Sequence, residues 1–286
     1  MVHSLFYAGN HIYNPVYRRF YGIIPAPHLY SMPYLPLFLI TCMLRPDVSA
    51  IQPPAGYTRI HQPATAFGSW LRKVPLKADN TVYLYNGQQK ANQSAQFAVL
   101  DVTVGDKDLQ QCADAVMRLY AEYLYSQKRY AGIAFHATDG TLMDYQSWTE
   151  GNRFVIRQGK LKKQRMAAAC DSRACFESYL QTVFAYAGTL SLSKELQPLP
   201  SVMDIRPGDV FIKGGSPGHA VIVMDVAVNG AGEKMFLLAQ SYMPAQDIHI
   251  LRNPSGAHSP WYSTRQADVL VTPEWTFESG SLKRFR

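Results

Sequence analysis

The strongest pattern of apolar positions lies in the last third of the chain. "DVFIK" at 209–213, "HAVIVMDVAV" at 219–228, "KMFLLAQS" at 234–241 and "DIHIL" at 247–251 are apolar runs broken by Gly, Asn and Pro, and they predict four consecutive strands. Upstream, "TVYLYNG" at 81–87 and "FAVLDVTVG" at 97–105 predict two more, and "YAGIAFHATDG" at 130–140 predicts a strand and turn. Helical spacing over 109–127 puts Cys112, Ala115, Val116, Leu119 and Tyr123 on one face. Asp108 as N-cap and Gln111 at N3 would open that helix as an acidic variant of the capping box. A second helix is predicted over 174–188, stopping near Gly188, and a short one within 66–77 that ends before Pro75. Residues 141–170 read as polar and irregular, and 260–286 as aromatic loop with a short strand or two. Helices first and an antiparallel sheet afterwards give an α+β class.

The first fifty residues break this pattern. They are rich in Tyr and Pro and contain "YLPLFLITCML" at 34–44. That run is too short to span a bilayer, which takes about 20 apolar residues. It suits the apolar region of a signal peptide, with "VSA" at 48–50 as a cleavage signature and Met32 as a natural start. "LITC" at 39–42 also resembles a lipoprotein box, which would anchor the chain through a lipid on Cys42. The expectation is a leader over 1–50 and a single domain over 51–286. The product is expected to be exported, as a periplasmic or outer-membrane lipoprotein or as a secreted protein, the alternative being a disordered aromatic tail.

Composition then narrows the function. With 286 residues, 47% of them apolar, the chain can bury a large core. The net charge of +7 is spread out, densest in "KLKKQR" at 160–165 and in the final "LKRFR". No recognition motif accompanies it, which argues against nucleic acid; a mild basic excess suits many partners, anionic cell-surface polymers among them. The absence of HxxxH, of CxxC and of a clustered Asp triad gives no indication of a metal site, and no cofactor is expected.

The four cysteines are Cys42, Cys112, Cys170 and Cys175. Loss or lipidation of Cys42 and local pairing of Cys170 with Cys175 would leave Cys112 as the odd thiol of an exported protein. Near a helix N-terminus, unpaired N–H groups and the helix dipole favour a thiolate. The same position also belongs to the apolar stripe, and free cysteine is among the most buried residue types. Cys175, at the start of the second helix, is a rival nucleophile. Among the histidines, His219 follows the glycine-rich turn "GGSPG" into an apolar strand, which His136, His249 and His258 do not. Trp148, Trp261 and Tyr262 are candidates to line a groove for a sugar or peptide.

Two resemblances can be named on these motifs. "QQCADAVMRLYAEY", "PGDVFIKGGSPGHAVIVMDV" and "LLAQSY" resemble the papain-like group that contains the CHAP and NlpC/P60 cell-wall enzymes. That resemblance implies a helix packed on an antiparallel sheet and a cysteine amidase or peptidase. Cys112 would be the nucleophile, His219 the base, and Gln240 (or Asp225) the group that orients the imidazole. Gln111 would lie near the oxyanion site, with the helix-terminal N–H groups as further donors. Second, "DLQQCADAVMRLYAEYLY", "FAYAGTLSL", "PGHAVIVMDVA" and "LLAQSYMPAQDIHIL" are close to the uncharacterised bacterial family DUF4846, from about residue 65 to the end. Its members are typically exported, and its name carries no activity. The competing expectation is a non-catalytic envelope protein that uses the same cleft to bind a glycan, peptide or protein partner.

Overall fold

Strand formation in the last third of the chain sets the architecture, as the apolar runs require. The computed structural model describes residues 45–266 and 268–286. The apolar run 34–44, Cys42 and Met32 lie outside the described residues. In chain order the elements are β1 (Tyr57–Arg59), α1 (Phe67–Arg72), β2 (Gln96–Val99), α2 (Cys112–Ser126), β3 (Ala134–His136), β4 (Leu142–Asp144), α3 (Tyr145–Thr149), β5 (Asn152–Arg157) and β6 (Lys160–Arg165). They continue with α4 (Arg173–Tyr186), α5 (Thr189–Glu195), β7 (Gln197–Pro198), β8 (Val210–Lys213), β9 (His219–Asn229), β10 (Lys234–Gln240), β11 (His249–Leu251), β12 (Tyr262–Ser263), β13 (Leu270–Val271), β14 (Thr276–Phe277) and β15 (Leu282–Arg284).

The main sheet runs β2-β11-β10-β9-β8-β15-β7, with β1 added to the far end of β9 and β12 to β10. The pairings within it are antiparallel. The fold is therefore α+β with a mostly antiparallel sheet. The four predicted strands of 209–251 are β8 to β11, and the two long predicted helices are α2 and α4.

The long strand β9 is apolar without alternation because both of its faces are buried. Ala220, Ile222 and Met224 join the core under α2, with Ile212 of β8 and Ala239 of β10. Val221 and Val223 point the other way, into a second core with Phe211, Phe236, Leu238, Leu270 and Phe277. A bulge facing Leu237/Leu238 pairs Asp225 with Leu237 and Val223 with Leu238, leaving Met224 as the extra residue. The extra residue shifts the alternation. Asp225 is thereby turned toward Arg59 and Arg72, which hold its carboxylate at 2.6 and 2.7 Å.

Several expectations are corrected. Residues 81–87 form no strand; they are an irregular segment pinned where Asp247 accepts the Tyr83 N–H at 3.0 Å. Residues 141–170 are ordered as β4, α3 and the β5–β6 hairpin, because Val155–Lys162 and its neighbours pair in register despite their polar surface. The tail is more than loop, since β15 enters the main sheet between β8 and β7. There Arg284 grips Asp209 with Nε at 2.6 Å and Nη2 at 2.8 Å. Residues 45–50, assigned above to the leader, belong to the domain. Val48 is fully buried, the Asp47 side chain accepts the Ser49 N–H at 3.0 Å, and the Ser49 carbonyl accepts from Arg59 at 2.9 Å. Cleavage after Ala50 would remove a core side chain.

Two measurements check this packing. Removing residues 1–50 is expected to lower the thermal midpoint relative to removing 1–44, since Val48 alone carries about 1–3 kcal/mol of burial; equal midpoints would show the turn at 48–50 to be dispensable. Asp225→Ala leaves two guanidinium groups without their buried partner. It is expected to cost about 3–5 kcal/mol in urea unfolding, with Asp225→Asn in between.

Candidate functional site

The Cys112 helix starts later than its sequence suggests. Gln111 is the N-cap, in an extended conformation, and Cys112 is the first helical residue. Asp114 caps from the third position, where its Oδ2 accepts the Gln111 N–H at 3.0 Å. Asp108 lies outside the helix and ties it to the loop after β10. Its Oδ1 accepts the Ala245 N–H at 2.7 Å and the Gln111 carboxamide N–H at 3.1 Å. Ser241 adds a second tie, its hydroxyl donating to the Gln110 carbonyl at 2.9 Å. The Gln111 side chain is thus directed to Asp108, and the oxyanion role expected for it has no support from its contacts.

Cys112 is buried, with the expected stripe of Ala115, Val116, Leu119 and Tyr123. Burial above all, and then the Asp114 carboxyl, push its thiol up to about 11. The backbone N–H groups of Ala220, Ala113 and Cys112 itself work in the opposite direction. The expectation of a low-pKa thiolate is therefore corrected. The helix-terminal donors are present, but desolvation is larger. Ala220 is also informative as a neighbour. The thiol meets β9 at the residue after His219, on the face where α2 packs.

His219 faces the other way. Alternation puts it with Val221 and Val223, and its ring packs on Phe277 at 5.8 Å, Trp275 at 5.3 Å and Tyr242 at 4.9 Å. Among the described residues no hydrogen bond joins its ring to Cys112. The ring's packing partners lie with the second core, whereas the thiol meets β9 at the Ala220 backbone. The glycine turn before His219 is as expected. Gly215 has φ +113°, and a Cβ on Gly218 would collide with the Gly215 carbonyl and Thr189 Oγ1.

Gln240 does contact the imidazole, as expected. Its Oε1 lies 2.9 Å from His219 Nε2, across the β9–β10 pair. Its Nε2 donates to Glu274 Oε2 at 2.7 Å and lies 3.5 Å from His249 Nε2. Glu274 is also held by Lys90 at 2.5 Å and Asn92 at 3.2 Å. Burial pushes His219 down to about 4 and His249 to about 3, so both rings are neutral near pH 7. Burial lowers Lys90 as well, against the opposing pull of Glu274.

The remaining candidates lie elsewhere. Asp225 is bound to Arg59 and Arg72, six positions along β9, and does not orient His219. Trp148 is buried against Phe154 and Tyr179. The Tyr262 hydroxyl donates to the Arg252 carbonyl at 2.5 Å from within the second core. Trp261 is buried too, its N–H donating to the Gln52 carbonyl at 2.8 Å. Its ring borders a separate open pocket of about 770 Å³ that neither Cys112 nor His219 lines. Cys175 is bonded to Cys170 and is not a free nucleophile. Glu274, Lys90, Tyr242 and Trp275 were missed, and His249 was set aside. Lys90 and Glu274 sit in loops 184 positions apart, with no periodicity to mark them. A cleft of about 480 Å³ adjoins the site, lined by Trp275, Phe277, Lys194, Lys213, Lys283 and Glu278, among others.

The two buried histidines generate a pH dependence. Their folded pKa values lie below the usual 6.5, so between about 4 and 6.5 the unfolded chain binds more protons than the folded one. Stability is expected to fall as pH drops through that window, by on the order of 3 kcal/mol per histidine. Urea midpoints from pH 7 to 4 read the loss, and His249→Asn should flatten it.

No curated protein and no solved structure showed significant similarity to the chain. The model of one family, described as Domain of unknown function (4846), matches residues 48–284, almost the whole of the described domain and again including Val48. The chain therefore belongs to the DUF4846 family.

Proposed function

We propose that this chain is a non-catalytic protein of the cell envelope that binds a segment of anionic wall polymer, a glycan or peptide, in the cleft beside His219. The observation that carries this reading is the composition of that cleft. Trp275 presents a partly exposed aromatic ring backed by the buried Phe277, three lysines surround it, and Glu278 is the one acid in the lining. The same two rings pack on His219, so the cleft and the buried polar cluster share a wall. Aromatic faces stack on sugar rings or peptide planes, and lysines draw in carboxylates. The Cys170–Cys175 bond suits an oxidising compartment. Export, with or without a lipid on Cys42, is part of this proposal.

A papain-like cysteine amidase or peptidase, related to the CHAP and NlpC/P60 enzymes, is the second reading. One observation favours it: the helix that opens on Cys112 lies against the strand that opens on His219. It requires an imidazole on the helix face, where β9 has Ala220. It also requires a thiol that ionises readily, whereas burial holds this one up.

Two experiments separate the readings. Purified protein should be retained on insoluble peptidoglycan at low salt, and Lys194→Glu combined with Lys213→Glu should reduce retention at least tenfold with an unchanged melt. Equal retention by the variant would remove the cleft from the binding surface. Cys112 should stay unmodified by iodoacetamide at pH 6–8 in the folded protein. Fast alkylation near pH 6, slowed by His219→Ala, would restore the hydrolase.

A further inference from the structure

The buried polar cluster around Gln240 carries a consequence for what His219 can recognise. A glutamine carboxamide has two ends, and the tautomer of a neighbouring imidazole depends on which end it receives. Three contacts fix the orientation here. Glu274 Oε2 also takes the Lys90 ammonium, so it is an acceptor, and the Gln240 atom 2.7 Å from it must be the NH₂. The His249 ring lies on the same side, with Nδ1 at 2.9 Å from the Asp247 carbonyl. A carbonyl can only accept, so Nδ1 carries the hydrogen, and the Nε2 atom 3.5 Å from Gln240 has only a lone pair to offer. Both neighbours therefore demand the NH₂ end. The oxygen end is left for His219 Nε2, at 2.9 Å, which must carry a hydrogen to make that bond.

We infer that Glu274, acting through Gln240, locks His219 as the Nε2–H tautomer, leaving Nδ1 as a bare acceptor that recognises an N–H or O–H donor on the bound ligand. Among the described residues Nδ1 has no hydrogen-bond partner, although Tyr242, Trp275 and Phe277 enclose the ring. An amide N–H or a sugar hydroxyl supplies that donor; a carboxylate does not. The division of labour follows: the lysines of the adjoining cleft take the anionic group, and His219 takes the donor. Glu274 is a positioning residue in this scheme. Without an acceptor in its place, only the long 3.5 Å contact to His249 still calls for the NH₂ end, and the carboxamide turns over more readily. An NH₂ facing Nε2 would then favour the Nδ1–H tautomer, which cannot accept from a ligand donor. The inference about the ligand rests on the binding proposal above; the inference about the tautomer does not.

The experiment reads ring-nitrogen chemical shifts of His219 in ¹⁵N-histidine-labelled full-length protein at pH 7. The wild type is expected to show protonated Nε2 and unprotonated Nδ1. Glu274→Gln, which retains an oxygen acceptor for Lys90 and Gln240, should preserve that pattern. The paired variant Lys90→Met/Glu274→Leu, which removes both buried charges together, should lose it in favour of a tautomer mixture. A wild-type ring protonated at Nδ1 overturns the inference even if neither variant folds. So does a folded double variant with the wild-type pattern. Donor recognition is tested with two amide probes, N-methylacetamide, which has one N–H, and N,N-dimethylacetamide, which has none. The first should move the His219 Nδ1 resonance and the second should not. An equal response to the two, including none to either, overturns donor recognition while leaving the tautomer standing. Failure of peptidoglycan retention with an intact Nε2–H signature would fault the binding proposal alone.

Discussion

Burial of β9 on both faces is the constraint on which the rest of the structure depends. The strand must pack α2 on one side and the segment around Leu270 and Phe277 on the other, so each residue is committed to one of two separate cores. A single residue decides chemistry under that rule. Ala220 faces α2 and lets the start of the helix come close, and His219 is consequently turned away. The bulge at Met224 makes the opposite adjustment further along, where Asp225 is needed beside Arg59 and Arg72. The alternation at the start of β9 and the bulge at Met224 thus decide what His219 and Asp225 each meet.

Desolvation governs the electrostatics that follow. Cys112, His219 and His249 are each driven toward their neutral forms, and burial is the largest cause in every case. A thiol held neutral by burial is a weak nucleophile until it loses its proton. Neutral imidazoles in a fixed hydrogen-bond chain make good recognition elements, because their donor and acceptor ends do not interchange. The one charge pair admitted to this cluster, Lys90 with Glu274, is enclosed with Asn92 and Gln240 as further partners. A buried pair of this kind is weak evidence for stability. Its clearer effect here is directional, through the carboxamide it orients.

Membership of DUF4846 accounts for the extent of the domain, beginning at residue 48, and assigns no chemistry. The chemistry comes from the ends of β9 and β10, where the glycine turn, the Asp108 and Ser241 ties and the Trp275 segment converge. Among the described residues no helix is long and apolar enough to cross a membrane, and no group of three or more His, Cys, Asp or Glu side chains is arranged to hold a metal ion.

Much of this was legible in the sequence because it is local. Apolar runs broken by turn residues gave β8 to β11, helical spacing gave α2 and its stripe, and the short interval between Cys170 and Cys175 suggested their pairing. The Gln240 contact was implied only by the resemblance to the papain-like group, not by any local pattern. The sequence could not say which face of β9 His219 occupies. A strand buried on both sides has no polar phase, so its pattern does not reveal which residues meet the helix. Nor could it place Val48 in the core or bring Lys90 to Glu274, since nothing in a loop's sequence records what the folded chain carries to it. Local periodicity and turn chemistry determined the elements. Only the tertiary structure decided which side chains meet, because alternation fixes relative facing along a strand and packing alone fixes what each face contacts.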